Sequence, residues 1–321
     1  SGMSNPFLQK YVMTDSNESL FVLTGCTAVG KTKWALEWAE SNDAEIVSCD
    51  SLLFYKGMDI GTAKPTSTER ARVPHHLIDI CEPHERMDIA AFLPLAIAAV
   101  EDIRVRGKKV LVTGGSGFYL KAFFSPVLDS VRVSTKTKEA VRSLEQAGGL
   151  AKMVEILRSL DPECEGELDI QNPRRVLKAL ERCMETGKSM RQLKTELWSQ
   201  KNPLTEVSKK LVVLDRDREE LDVRIEERVE AMLKEGLVEE VKRLRAEGFE
   251  SNPSGAGSIG YRETLAYIDG KIEFENLASN IVVDTQRLAK KQRTWFRTQL
   301  PVSKTINLTK SPHLEITPLF R

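Results

Sequence analysis

The stretch LTGCTAVGKTKW, Leu23 to Trp34, decides the fold. Within it Gly25, Cys26, Thr27, Ala28, Val29, Gly30, Lys31 and Thr32 fit G-x-x-x-x-G-K-[ST], the pattern of a phosphate-binding loop. Phe21-Val22-Leu23 ahead of it reads as a short buried strand. Lys33 to Glu40 behind it reads as a helix, and strand, loop, helix is the setting the pattern requires. Glycines let the backbone approach a polyanion, and the N–H groups and helix N-terminus supply positive potential. In that reading Lys31 reaches the outer phosphate and Thr32 ligates Mg²⁺. The alternative is a glycine turn that binds nothing.

Working outward, apolar runs end in turn or polar residues at Phe21–Leu23, Ile46–Cys49, Leu77–Ile80, Val110–Thr113 and Leu211–Leu214, with helical stretches between the first four. Strands alternating with helices imply right-handed crossovers and a parallel sheet, whose ligands sit beyond the carboxyl ends of the strands. Three of those ends carry polar groups: the phosphate loop, Asp50-Ser51, and Gly114-Gly115-Ser116-Gly117. After Pro126 the pattern turns charged and helical, with a break at Gly148-Gly149. The expected architecture is therefore α/β, a parallel-sheet core like that of the P-loop NTPases with an inserted helical domain. The expected divisions are an N-terminal extension over 1–20, a first core part over 21–126, a helical insertion over 127–200, and the rest of the core with C-terminal helices over 201–321. Ser1-Gly2 ahead of Met3 reads as a tag remnant. Arg218 to Gly248 reads as one long amphipathic helix or two, split near Gly236, with a solvated charged face. Asp284 to Arg297 reads as a helix rich in basic residues.

The bulk numbers exclude little. The chain has 321 residues, 41% hydrophobic and 29% charged, with 47 basic and 47 acidic side chains. Global charge therefore recruits no nucleic acid, and any such binding must come from local patches. The longest apolar run, Ile89 to Val100, is too short for a bilayer and is interrupted by Pro94. No signal-peptide pattern is visible. The five cysteines lie far apart without a C-x-x-C pair, which suggests neither a zinc site nor a disulfide framework and fits a reducing cytoplasm. His75-His76 lacks partners at metal-ligand spacing and reads as structural.

Asp50 emerges at the tip of the strand after the phosphate-loop helix. A carboxylate there is either a general base or a helix N-cap. Ser116 is either a donor to a ligand or part of a structural turn. A nucleotide hydrolase wants an apolar strand ending in Asp. The strand before Gly114 lacks one, and Leu211–Asp215 comes very late, so group transfer is favoured over an ATPase.

Six further blocks carry a resemblance: SCDSLLFYKGMDIGTAKP (Ser48 to Pro65), PHHLIDICEP (Pro74 to Pro83), VTGGSGFYLKAF (Val112 to Phe123), QNPRRVLKALE (Gln171 to Glu181), GSIGYRE (Gly257 to Glu263) and AKKQRTWFR (Ala289 to Arg297). Together with the loop, and in this order, they resemble the tRNA dimethylallyltransferases. The resemblance implies that the loop holds dimethylallyl diphosphate rather than a nucleotide. It implies transfer of the dimethylallyl group to N6 of adenine 37 beside the anticodon, with Mg²⁺ as cofactor. It implies Asp50 as the base, with Lys31, Ser116 and Arg224 completing the catalytic set. It also implies that tRNA is held by Asp50, Ser51, Leu52 and Leu53, by Gln171, Asn172, Pro173, Arg174 and Arg175, and by Gly257, Ser258, Ile259, Gly260, Tyr261 and Arg262. The target base would be drawn out of its stack to meet the donor. Leu53 stands where many members have glutamine, Ser116 where many have threonine, and Met87-Asp88 where the usual pair is Tyr-Ser. No zinc finger of the eukaryotic kind follows, which fits the bacterial form. The partners expected are tRNA and dimethylallyl diphosphate, with no membrane, in a cytoplasmic monomer. The rivals are an adenylate isopentenyltransferase acting on free nucleotides, a P-loop small-molecule kinase, and an RNA-binding protein with a decayed site.

Overall fold

The computed structural model describes residues 18–127, 131–199, 202–301 and 304–321. The tag remnant and most of the N-terminal extension lie outside them, as do 128–130 and 200–201 at the expected edges of the insertion.

The chain forms two compact units, one within Ser125–Asn202 and the other from the flanking stretches up to Phe124 and from Pro203 onward. The larger unit is built on six strands: β1 (Leu20–Gly25), β2 (Ala44–Ser48), β3 (His75–His76), β4 (Lys109–Thr113), β5 (Lys209–Asp215) and β6 (Lys304–Asn307). They form one sheet in the order β3-β2-β4-β1-β5-β6, every neighbouring pair parallel. The three central strands are almost wholly buried, as expected for a parallel sheet covered on both faces by crossover helices. This explains why they read as continuous apolar runs rather than as alternating ones.

Two readings are corrected. Leu77–Ile80 is no strand: Leu77 and Asp79 take left-handed φ of 67° and 56°, and only His75-His76 pairs with β2. Leu77 and Ile78 are buried from a loop instead, and Ile80 is exposed. The edge strand β6 was missed because KTIN is short and has a single apolar residue, Ile306. The split near Gly236 is observed: helices Arg218–Glu235 and Leu237–Ala246 meet at that residue, whose φ of 109° favours glycine. The basic C-terminal helix is longer than expected, Phe274–Gln299.

Asp88 accepts from Ala91 N–H at 2.8 Å and caps the helix Ile89–Val105, while the Met87 N–H and carbonyl meet Tyr55 and Tyr119. Asp is among the best N-caps, so this departure from the family pair has a local structural use.

The smaller unit is helical. Helix Thr135–Leu160 breaks at Gly149 (φ 60°, ψ −149°), and helices Pro173–Thr186 and Met190–Ser199 follow. Val141, Met153, Leu157, Val176, Leu180 and Cys183 form its separate core. Asn172 accepts from Arg175 N–H, and Pro173 opens the helix where a missing N–H costs nothing. Gln171, Arg174 and Arg175 are exposed there.

Candidate active site

The strand order places the loops after β2, β4 and β1 side by side, and a cavity of about 1030 Å³ opens beyond them. Of the phosphate-loop residues, Thr27, Ala28, Gly30, Lys31 and Thr32 line it, whereas Gly25, Cys26 and Val29 do not. The last three serve through the fold. Cys26 and Val29 are buried, and burial pushes the Cys26 thiol up, so it packs rather than reacts. A Cβ on Gly25 would lie 2.6 Å from the Leu214 carbonyl oxygen of the neighbouring strand.

The loop is held at its carbonyls by arginines. Arg216 donates to Val29 O at 2.8 Å, Arg224 to Ala28 O at 2.7 Å, and Arg228 to the Thr27 hydroxyl at 3.1 Å. Arg224 and Arg228 stand one turn apart on Arg218–Glu235 and both face the cavity. These contacts hold Ala28 at a φ of 65°, a conformation unusual for a side-chain-bearing residue. Lys31 donates to Gly25 O (2.7 Å) and Cys26 O (3.1 Å). Burial lowers its pKa to about 8, an effect that the Asp50 charge partly offsets. Thr32 follows at the start of helix Lys31–Ser41, exposed to the cavity.

Asp50 closes the opposite side. Its Oδ1 accepts from Leu52 N–H at 3.3 Å, which makes it the N-cap of a short 3₁₀ turn. Among the described residues no hydrogen bond to its Oδ2 is made. Cap and base are therefore compatible: one oxygen orients the carboxylate, and the other remains for a ligand. Burial raises the Asp50 pKa, opposed by Lys31, by the Leu52 N–H and by Arg228. Ser116 accepts from Ser51 N–H at 2.8 Å and donates to Ser51 Oγ at 3.0 Å, joining the β4 loop to the loop that carries Asp50. Leu52 and Leu53 line the cavity, Leu53 nearly buried.

Gly257, Ser258, Ile259, Gly260 and Arg262 reach the same cavity, but Tyr261 does not. It is fully buried, and its hydroxyl donates to Glu240 at 2.7 Å. Glu240 in turn accepts from the N–H groups of Asp59, Ile60 and Gly61. Tyr261 thus braces the protein rather than offering a surface to nucleic acid, which corrects its assignment as a tRNA contact. Arg262 is paired with Glu263 (2.9 Å) and Asp284 (3.3 Å). Gln171 to Arg175 belong to the helical unit and are not among the lining residues.

The sequence missed Arg228, Arg216 and Gln292. The two arginines were hidden in a mixed-charge helix and its approach, where only docking decides which charges face inward. Gln292 was inside a block that was recognised without any role for it.

The cavity is charged unlike the chain as a whole. Lys31, Arg224, Arg228, Arg262 and Lys291 face Asp50 and Glu227. Beside them lies an apolar wall from Ile225, Val229, Met232, Ile281 and Phe296. A polyanion with a short hydrocarbon tail meets both requirements in one space.

Among the described residues no three His, Cys, Asp or Glu side chains converge as a metal site. The donor present, the Thr32 hydroxyl at the cavity, nevertheless fits Mg²⁺ carried by a diphosphate, because Mg²⁺ keeps several waters and takes few protein ligands.

A family profile described as IPP transferase matches residues 53–299. The chain belongs to the IPP transferase family. The tRNA dimethylallyltransferase of Opitutus terrae is 54% identical over 288 residues, covering 90% of this chain and 92% of the relative. That of an Exiguobacterium species is 40% identical over 87% of each. Among solved structures, the full-length tRNA isopentenylpyrophosphate transferase of Bacillus halodurans superposes with a TM-score of 0.67 at 33% identity, over 91% of both chains. A eukaryotic dimethylallyltransferase acting on tRNA gives a TM-score of 0.77 at 24% identity and shares the fold. The parallel α/β sheet expected from the phosphate-loop setting is thus that of this family. No helix among the described residues is long and apolar enough to cross a membrane.

Proposed function

We propose that this IPP transferase moves the dimethylallyl group of dimethylallyl diphosphate onto N6 of adenine 37 in tRNA. One observation carries the proposal: a cationic phosphate loop and a half-buried, half-coordinated carboxylate face each other across a cavity with an apolar wall. The diphosphate lies on Thr27 to Thr32, with Lys31 and Arg228 beside it. The tail rests against Ile225, Val229 and Met232. As the allylic C1–O bond breaks and the C1–N6 bond forms, the N6 proton passes to Asp50, and diphosphate leaves with the bonding pair. Lys31 and the arginines stabilise the charge that develops on the leaving oxygen. Mg²⁺, held by Thr32 and the diphosphate, adds neutralising charge when bound. Water is excluded from the apolar side, so the allylic centre meets the amine instead.

The acceptor base reaches Asp50 only after leaving its stack. Gly257 to Gly260 and Arg262 flank its path, while Arg174 and Arg175 offer exposed cations for the anticodon stem-loop's phosphates. The five cysteines are free and buried, which supports a cytoplasmic setting.

The test is transfer of labelled dimethylallyl to an anticodon stem-loop and to AMP at equal concentration. Stem-loop transfer with inert AMP is expected. The reverse result would favour an adenylate isopentenyltransferase, and γ-phosphate transfer from ATP without use of the isoprenoid donor a kinase. Stem-loop affinity should also weaken with salt, by about 0.7 in log K per log[salt] for each phosphate contacted. Charge reversal at Arg174 and Arg175 should flatten that slope and leave donor binding intact.

A further inference from the structure

Gln292 spans two loops that the sheet itself does not tie together. The β1–β4 ladder ends at Leu23 paired with Thr113, and the β2–β4 ladder ends at Ser48 paired with the same Thr113. Beyond that point no ladder pair joins the loop after β1 to the loop after β4, although β1 continues along β5 to Gly25. A first pin lies just past the ladder, where the Thr24 hydroxyl donates to Gly114 O at 2.6 Å. The second comes from the far helix Phe274–Gln299. Gln292 Oε1 accepts from Thr27 N–H at 2.8 Å, and its Nε2 donates to Gly115 O at 3.2 Å. The next residue of that loop, Ser116, holds Ser51, the neighbour of Asp50. Three residues on, Trp295 packs so closely on Gly117 that a Cβ there would lie 2.6 Å from its ring. One helix face thus grips both loops.

We infer that Gln292 is a positioning residue: its single amide sets the separation between the diphosphate loop and the base-bearing loop, and so between the breaking C–O bond and the attacking amine. The inference rests on the reaction proposed above. A carboxamide suits the task because it accepts on one side and donates on the other. A carboxylate in its place would set an acceptor against the Gly115 carbonyl. A loop displaced by about 1 Å is enough to cost on the order of a hundredfold in rate without removing any group that touches the substrate.

The test compares wild type with Gln292→Met, which keeps length and loses both hydrogen bonds, and with Gln292→Glu, which keeps only the acceptor. Three quantities are read: single-turnover transfer to an anticodon stem-loop, affinity for inorganic diphosphate, and hydrogen exchange at the Thr27 amide. For Gln292→Met, transfer should slow by about ten- to a hundredfold, with diphosphate and stem-loop affinities little changed and Thr27 protection lost. Gln292→Glu should retain Thr27 protection yet still transfer slowly, because Gly115 is released. If Gln292→Met fails to fold, this second variant decides alone. Transfer at the wild-type rate would overturn the inference, as would a loss matched by equally weakened diphosphate affinity, which would mark a binding or purely structural residue. If wild type itself transfers nothing to the stem-loop, the proposed function fails. The exchange readout then judges the clamp: protection lost in Gln292→Met with diphosphate affinity unchanged upholds it, and unchanged protection overturns it.

Discussion

Two glycine-rich loops lie side by side at the carboxyl edge of the sheet, and their glycines do opposite things. In the loop after β1, Gly30 has a φ of 103°, lines the open cavity, and has only the side-chain tips of Arg216 and Arg224 near its Cβ position, at 3.4 and 3.3 Å. In the loop after β4, Gly114 has the Cys49 backbone 2.5 Å from its Cβ position, and Gly117 has the Trp295 ring at 2.6 Å. Gly30 leaves space for a ligand, whereas Gly114 and Gly117, like Gly25 of the first loop, leave space for the protein. The pattern G-x-x-x-x-G-K-[ST] announces the first kind because the lysine comes with it. Gly-Gly-Ser-Gly announces nothing, since close packing and ligand approach call for the same residue.

The largest effect should come from Asp50→Asn, in the loop that the second glycine loop supports. Loss of the base should slow single-turnover transfer by about 10²- to 10⁴-fold with tRNA affinity nearly unchanged. Near wild-type turnover would remove Asp50 from the chemistry and leave it a cap. The same carboxylate fixes the acid side of the pH profile. Its pKa is raised, so kcat/KM for the donor should fall as pH drops through a value above the usual carboxylate range, and Asp50→Asn should abolish that limb. The alkaline limb belongs to the first loop: Lys31, lowered to about 8, loses its charge as pH rises through that value.

Next is Lys31→Ala, expected to cost about 10²- to 10³-fold in transfer and to weaken inorganic diphosphate binding together with it. An intact diphosphate affinity would separate the loop from the donor. Gly117→Ala probes the other loop and should act through the fold. A methyl forced against Trp295 should lower unfolding free energy by about 1–3 kcal/mol, read by denaturant titration. If the variant instead kept full stability and lost only donor binding, the contrast between the loops would collapse. The smallest effect is expected for Tyr261→Phe, which removes one of four donors to the buried Glu240. About 0.5–1.5 kcal/mol of stability should go, with the salt dependence of tRNA binding unaltered. A flattened salt slope would restore Tyr261 to the RNA interface.

How much of this was legible in the sequence follows from where the interactions lie. The phosphate loop and its flanking elements are local, so a twelve-residue window holds the whole signal. The strands β1, β2, β4 and β5 are buried on both faces and show as apolar runs. Leu77–Ile80 is equally apolar but is folded by left-handed turns at Leu77 and Asp79, which composition does not encode. The base-or-cap question at Asp50 had no sequence answer, because one carboxylate oxygen makes the cap and the other is left for the proposed base role. Arg216, Arg228 and Gln292 meet the loop across 187, 201 and 265 residues. No local pattern distinguishes them from neighbours that face solvent.

That last separation also bears on synthesis. Thr27 is among the first residues of the core to be made, and its amide partner Gln292 is made 265 residues later. At about 5–20 residues per second, the interval is on the order of tens of seconds. Through all of it the nascent chain carries the complete phosphate-loop motif in an unfinished cleft, without the helix that braces it and without β6 on the sheet's edge. Competence for catalysis therefore arrives late and all at once. A chain that ends between Thr32 and Gln292 carries every signature residue of the loop without the side chain that braces it.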